Sequence, residues 1–461
     1  MTMRRFPSWF RPSWFSVGVL AVVVHAALLL VVIPQVGARV NPLYNQDRFS
    51  DGYDQLAQNL VLGNGYRFYP DTARTLMREP GYPVFLAGIM LLFGSSFLAV
   101  KIANLLLALA TAWLMIRLAA RLSDNRWLGI AAALLFLFHP ATLIAESRGS
   151  VETLFTFLVV LFLLVLHIAL GRSDDWRYYL LTGAVLGLTV LVRSTPMLFP
   201  VFLLGYLLVL ERHRTPPLAI CRNVAVVVLA MFAVLSPWII RNYGLTRKFV
   251  PTASVLGISA HAGEYICAHR SEDRPFYLLD RDAAQERTRV AAALGYPIED
   301  GYYYQSFYST EHELKFSGYL AHQVFRDYAR NPLFCAKCMA LNVFNFWFTG
   351  KTAASTAANV LVQLPYLILA GFGVLLSVRR KQFALIGPMV LFIVYVMAVH
   401  VPILAQARYS VPLIPLLSIL ASVTLISKSK PANLTSAAAG FDGAESSAPV
   451  PSLVGSGTEK Q

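Results

Sequence analysis

The carboxylates and arginines that could do chemistry in this chain gather at the edges of apolar runs. The stretch FSDGYDQLAQNLVLGNGY, residues 49–66, carries Asp51 and Asp54. A carboxylate so placed can take the proton of an attacking hydroxyl. The next polar motif, REPGYP at 78–83, carries Arg78 beside a Pro-Gly turn. A guanidinium held there suits a phosphate headgroup through its paired donors. Further along, Glu146, Arg148, Glu152, Arg193, Arg241 and Arg408 fall at or near the ends of apolar runs. Charges at a membrane edge are expensive and default to functional candidates. Each also has a plainer reading. Asp51, with Asp54 three residues on, mimics a helix capping box. Arg148 and Glu152, four apart on one helix, can neutralise each other. Arg78, Arg241 and Arg408 can simply anchor their segments to lipid.

The elements that must position these groups are set by composition. Of 461 residues, 56% are hydrophobic and 14% charged, a balance that belongs to a chain embedded in a bilayer. Apolar runs at about 15–33, 97–119, 127–141, 150–170, 178–193, 196–210, 222–240, 358–378, 383–400 and 409–426 predict about ten transmembrane helices, hence an all-α polytopic fold. With that count, the basic segments around Arg4 and Arg117, GRSDDWR, ERHRTPPLAICR, RRKQ and SKSK all fall on one side, which the positive-inside rule makes cytoplasmic. Both termini are then cytoplasmic, and the N-terminal apolar run reads as an uncleaved signal anchor.

Two substantial loops are expected outside, at 34–96 and 241–357, within a transmembrane domain spanning 1–427. In the first, Tyr53, Leu56, Ala57, Leu60 and Val61 line one face of a short surface helix stopped by Gly63-Asn64-Gly65. In the second, a helical pattern from about 305 to 330 ends at Asn331-Pro332, and 331–348 reads as a helix in the outer interface. The tail 428–461, rich in Ser, Ala, Gly and Pro, reads as disordered and cytoplasmic.

Several functions are excluded or disfavoured. The net charge of +14 is explained by cytoplasmic loops rather than nucleic acid, for which no basic-aromatic module exists. No P-loop, HExxH or dinucleotide fingerprint is present. The triplet DRD at 280–282 lacks a surrounding nucleotide domain and reads as solvated loop. The four cysteines suggest no disulfide framework, with Cys335 and Cys338 read as small apolar residues of one helix. His25, His139 and His167 have no ligand spacing. No metal site or cofactor is expected.

The ordered motifs resemble a known family. They are the Asp-bearing helix with its terminal Gly-Tyr, R.PGYP, VETLFTFL at 151–158, LVRSTP at 191–196, PWIIRN at 237–242, RNPLF at 330–334 and ARYSVPLIPLLSILAS at 407–422. Together they resemble the GT-C superfamily of membrane glycosyltransferases, in particular the dolichyl-phosphate-mannose-protein mannosyltransferase-like group, over about 44–427. The segment at about 252–300 matches no pattern. The resemblance implies a polyprenyl-phosphate sugar donor, a glycan, lipid or protein acceptor, and an active site outside the bacterial cytoplasmic membrane. It also implies a first-loop Asp as catalytic base. Asp51 is the first choice for that base, with Asp47 and Asp54 as alternatives. Arg78, Arg241 and Arg408 are then the candidates for the donor phosphate, and Tyr82, Arg148, Glu152 and Arg193 are further site candidates. The rival reading is a transporter or flippase of a lipid-linked glycan, which should show midplane charges and repeats. The charges here sit at one face and no repeat is visible.

Overall fold

A computed structural model describes residues 14–40, 51–210, 212, 215–270, 274–296, 298–301 and 304–426. Asp47 and the expected disordered tail lie outside the described residues. A helix stands at each of the ten expected positions. Seven are long and apolar enough to cross a bilayer: Val17–Val36, Phe97–Ala119, Val151–Leu170, Pro217–Thr246, Ala353–Arg379, Phe383–His400 and Ala407–Leu425. An eighth position is a pair, α6 (Arg126–Leu137) and α7 (Pro140–Glu146), bent by 61° at the break. The bend has a local cause. Pro140 has no N–H to continue the ladder of α6, and His139 turns its Nδ1 to the Ala141 N–H, capping a new helix. The last two, α9 (Trp176–Val192) and Thr195–Leu210, are shorter apolar helices.

The N-terminal span runs through α1 (Trp14–Ala27), a π-helical segment (Leu28–Val32) and α2 (Ile33–Val40). Between it and α5 (Phe97–Ala119) lie α3 (Tyr53–Val61) and α4 (Gly81–Phe93). α8 (Val151–Leu170) is buried along most of its length and runs through the middle of the bundle. It packs on α9, which in turn packs closely on α11 (Pro217–Thr246). That closeness rests on Gly183 and Gly187 of α9. A Cβ at Gly183 would collide with the Val227 carbonyl, and one at Gly187 would lie 2.9 Å from the Met231 carbonyl. Small residues four apart are how helices approach where lipid removes the hydrophobic drive.

The large loop folds as α12 (Leu256–Ala268), α13 (Phe276–Ala293), a two-stranded antiparallel ribbon β1 (Ile298–Gly301) and β2 (Tyr304–Phe307), α14 (Thr310–Arg330) and α15 (Pro332–Phe348). The expected stop at Asn331-Pro332 is where α14 ends, and Asn331 caps α15 by accepting the Phe334 N–H. The bundle closes with α16 (Ala353–Arg379), α17 (Phe383–His400), a 3-10 turn (Ala407–Leu413) and α18 (Ile414–Leu425).

Three expectations need correction. The DRD triplet is part of α13 rather than loop, where Asp282 accepts from Arg274 at 2.5 Å. The ribbon β1–β2 interrupts an otherwise helical chain. Cys338 is not a bystander, because it forms a disulfide with Cys267 of α12. The two cysteines are 71 residues apart, so no local spacing announces the bond. Cys221 and Cys335 are free thiols.

Candidate active site

Asp51 sits where the chain enters α3, and its backbone explains its orientation. Asp51 and Gly52 both adopt the left-handed conformation, with φ of 63° and 74°. For Asp this is tolerated at a cost of about 1–2 kcal/mol. The helix N-cap falls on Gly52, without any side-chain cap. Asp51 therefore does not act as the expected capping residue, and its carboxylate turns away from α3. One oxygen accepts from Arg408 Nη1 at 3.0 Å, and the other lies 3.9 Å from Arg78 Nη2. Arg78 also donates through Nε to the Asp51 backbone carbonyl at 3.3 Å.

The three residues come from the entry to α3, the strap before α4 and the turn before α18. Burial pushes the Asp51 carboxyl up, but the guanidinium groups of Arg408, then Arg78 and Arg193, outweigh it and bring its pKa down to about 2. Burial disfavours the charged form of Arg78, and Asp51 reverses that effect, so its pKa is raised.

A second ion pair flanks the first. Arg193, at the end of α9, donates to Glu152 of α8 at 2.6 Å. Glu152 also accepts from Ser150 Oγ. Glu152 thus pairs with a residue of another helix, while Arg148 lies before the start of α8, so the two do not sit one turn apart on a common helix. The two ion pairs meet at Tyr409, whose ring centroid lies 5.4 Å from the Arg193 guanidinium carbon and 5.2 Å from that of Arg408. Cations over an aromatic face gain from its quadrupole. Tyr53 and Tyr82 form the floor. Their rings meet edge to face at 5.2 Å, and Arg78 lies 5.9 Å above Tyr53. The Tyr82 hydroxyl is buried and has no hydrogen-bond partner among the described residues.

The other candidates are placed differently. Asp54 lies on α3, partly buried, and burial raises its pKa. The backbone carbonyls of Glu146 and Arg148 accept from Asn104, at 3.0 and 2.9 Å. The Glu146 side chain meets His25 at 2.8 Å. Arg241 binds the Thr75 carbonyl through both terminal nitrogens at 3.1 Å and lies 4.3 Å over Trp238. None of its described contacts is with the carboxylate of Asp51.

Sequence reasoning left out Glu79, Tyr53 and Tyr409. Glu79 is buried and accepts the Ser194 N–H at 3.0 Å, tying REPGYP to LVRSTP. Gly81 completes that junction, since a Cβ there would lie 2.7 Å from the Leu191 carbonyl. All three missed residues lie in or beside stretches already singled out by sequence, so the available signal was their neighbourhood.

The fold is that of a helical polytopic membrane protein, with a carboxylate and arginines gathered at the ends of its helices. Residues 77–240 match the model of the family described as dolichyl-phosphate-mannose-protein mannosyltransferase. The archaeal oligosaccharyltransferase AglB of Archaeoglobus fulgidus, solved with an inhibitory peptide and a dolichol-phosphate, shares the fold. The TM-score is 0.54 at 13% identity, over 91% of this chain and 51% of that one. The chain thus spans about half the length of the archaeal protein. ArnT of Cupriavidus metallidurans, solved with undecaprenyl phosphate, aligns with a TM-score of 0.41 at 14% identity, over 89% of this chain and 78% of that one. No curated protein sequence matches the chain.

Proposed function

We propose that this protein transfers a sugar from a polyprenyl-phosphate donor to a hydroxyl acceptor, with inversion at the anomeric carbon. The observation that carries the reading is the convergence of Asp51, Arg78 and Arg408 from three separate elements. The family model over 77–240 and the dolichol-phosphate bound by the archaeal relative support the same donor class.

The acceptor hydroxyl attacks the anomeric carbon from the face opposite the phosphate and gives its proton to Asp51. The sugar–phosphate C–O bond breaks, and its electrons leave with the lipid phosphate. Arg408 and Arg78 take up the negative charge that grows there. In the free protein these two arginines are occupied by Asp51 itself. An arriving phosphate competes for them and leaves the carboxylate a stronger base, at the point where a proton must be received. Arg193 and Glu152 brace this arrangement through Tyr409. The unpartnered Tyr82 hydroxyl is placed to meet a polar group of the substrate. Arg241 takes a supporting position here, holding Thr75.

The reaction is assigned to the outer face of the bacterial cytoplasmic membrane, with both termini inside. The disulfide Cys267–Cys338 supports that placing, because such bonds persist in oxidising compartments. The acceptor class, whether glycan, lipid or protein, is left to the large loop.

The test is Asp51→Asn in purified protein, given labelled polyprenyl-phosphate sugars and crude envelope acceptors. Covalent transfer should fall by roughly 10²–10⁴-fold, the usual worth of general-base help, while the protein stays folded. Wild-type transfer by the variant removes Asp51 from the mechanism. Passage of intact label across vesicles without covalent transfer establishes a flippase instead.

A further inference from the structure

Between Thr72 and Gly81 the chain has no regular secondary structure, yet it carries Arg78 to the site. Its backbone is fastened group by group to other parts of the molecule. Ala73 N–H donates to the Phe307 carbonyl at 2.9 Å, and the Arg74 carbonyl accepts from Thr310 Oγ1 at 2.7 Å. Thr75 N–H donates to the Tyr66 carbonyl at 3.0 Å, and the Leu76 carbonyl accepts the Ser254 N–H at 2.8 Å. The Tyr66 hydroxyl lies 3.1 and 2.9 Å from the Arg78 and Glu79 carbonyls.

At the centre of these contacts is one buried carboxylate, Glu313 of α14. It accepts from Thr75 Oγ1 at 2.7 Å, the Leu76 N–H at 2.8 Å and Ser254 Oγ at 2.6 Å. Thr75 Oγ1 in turn accepts the Met77 N–H at 3.0 Å. Three hydrogen bonds hold Glu313 in place, and the charge of Arg241, which itself holds the Thr75 carbonyl, favours its ionised form. A carboxylate so deeply buried is expensive to maintain unless its position matters.

We propose that Glu313 is a positioning residue for Arg78. It acts through the Thr75–Met77 backbone and so couples the large loop to donor-phosphate recognition. The inference rests on the reading above that Arg78 contacts the donor phosphate. Removing the carboxylate takes away the acceptor of Thr75 Oγ1 and of the Leu76 N–H and so loosens the strap just before Arg78. The guanidinium then samples positions from which it reaches neither Asp51 nor a phosphate. Gln at this place still accepts the Leu76 N–H and should restore most of the hold.

The experiment joins binding of undecaprenyl phosphate, without sugar, to hydrogen exchange of the segment 71–80. Loss of one charge-assisted contact weakens binding by roughly 10–100-fold, which is the effect expected for Arg78→Ala. Glu313→Ala should fall in the same range, with faster exchange at Leu76 and Met77. Glu313→Gln should lie near wild type. The double variant Arg78→Ala/Glu313→Ala should bind no more weakly than Arg78→Ala alone, because both changes remove one contact. Unchanged exchange in Glu313→Ala, or additive losses in the double variant, overturns the inference. Should Glu313→Ala fail to fold, Thr75→Val and Ser254→Ala, each removing one bond to the carboxylate, carry the same cycle. If Arg78→Ala binds as wild type, the donor reading fails, and the exchange data alone then decide whether Glu313 holds the strap.

Discussion

At the scale of single residues, the site is arranged around competition for arginine. Asp51 has a depressed pKa of about 2, so it is ionised throughout the working range of the free protein. A group of this kind stabilises the fold above its unfolded pKa of about 3.9, and that contribution is lost as pH falls through about 2. The profile of kcat/KM, which reports free enzyme, should therefore show no acid limb from Asp51 above about pH 4. When a phosphate draws Arg408 or Arg78 away, the carboxyl pKa rises. The acid limb of kcat, which reports the bound complex, should then lie at higher pH than that of kcat/KM. Coincident limbs in a pH–rate measurement would show that donor binding leaves Asp51 untouched. Asp51, Arg78 and Arg408 stood out in the sequence, because charges at the ends of apolar runs are few, and the fold brings the three together. Their partners were not. Spacing paired Arg148 with Glu152 along one helix, whereas Arg193 reaches Glu152 across the packing of α8 and α9.

At the scale of elements, the site depends on the seam between REPGYP and LVRSTP. Gly81 starts α4 flat against the end of α9, and Glu79 accepts the Ser194 N–H one residue beyond Arg193. Gly81→Ala inserts a methyl within 2.7 Å of the Leu191 carbonyl. Overpacking of this sort costs about 1–3 kcal/mol. The variant should lose transfer activity out of proportion to its loss of thermal stability, since the displaced ends of α4 and α9 carry Arg78 and Arg193. Gly88→Ala, on the same helix with open space around its Cα, should behave as wild type in the same two assays. Helix positions were legible from hydropathy and from caps such as Asn331, because a bilayer demands long apolar runs. The bend at His139-Pro140 and the close contact at Gly81 depend on neighbouring backbone, which no single segment reveals.

At the scale of the whole molecule, two loops separated by several spans form one body. The bond Cys267–Cys338 pins α12 to α15. Closing a loop of 71 residues typically stabilises by about 2–4 kcal/mol. Cys267→Ser should therefore shorten the half-life of activity on heating, and reductant should do the same to the wild type but not to the variant. If reductant shortens the half-life of both equally, the bond is not the cause. This bond escaped sequence reading because Cys335 and Cys338 drew attention to each other, while the true partner lies on a helix in the one segment without a recognisable pattern. The contacts of Arg241 were hidden for a related reason. Its position at a helix end fitted a phosphate ligand, and only the folded strap shows Thr75 occupying its donors.

Thr75 and Glu313 stand 238 residues apart in the chain. A ribosome adding about 5–20 residues per second needs tens of seconds to travel from one to the other. Throughout that interval the strap that carries Arg78 has Tyr66 and Asp51 beside it but lacks the hold of Glu313. Arg408, the other partner of Asp51, is made later still, so nascent chains released before the turn Ala407–Leu413 should lack the assembled cluster however many spans they have inserted.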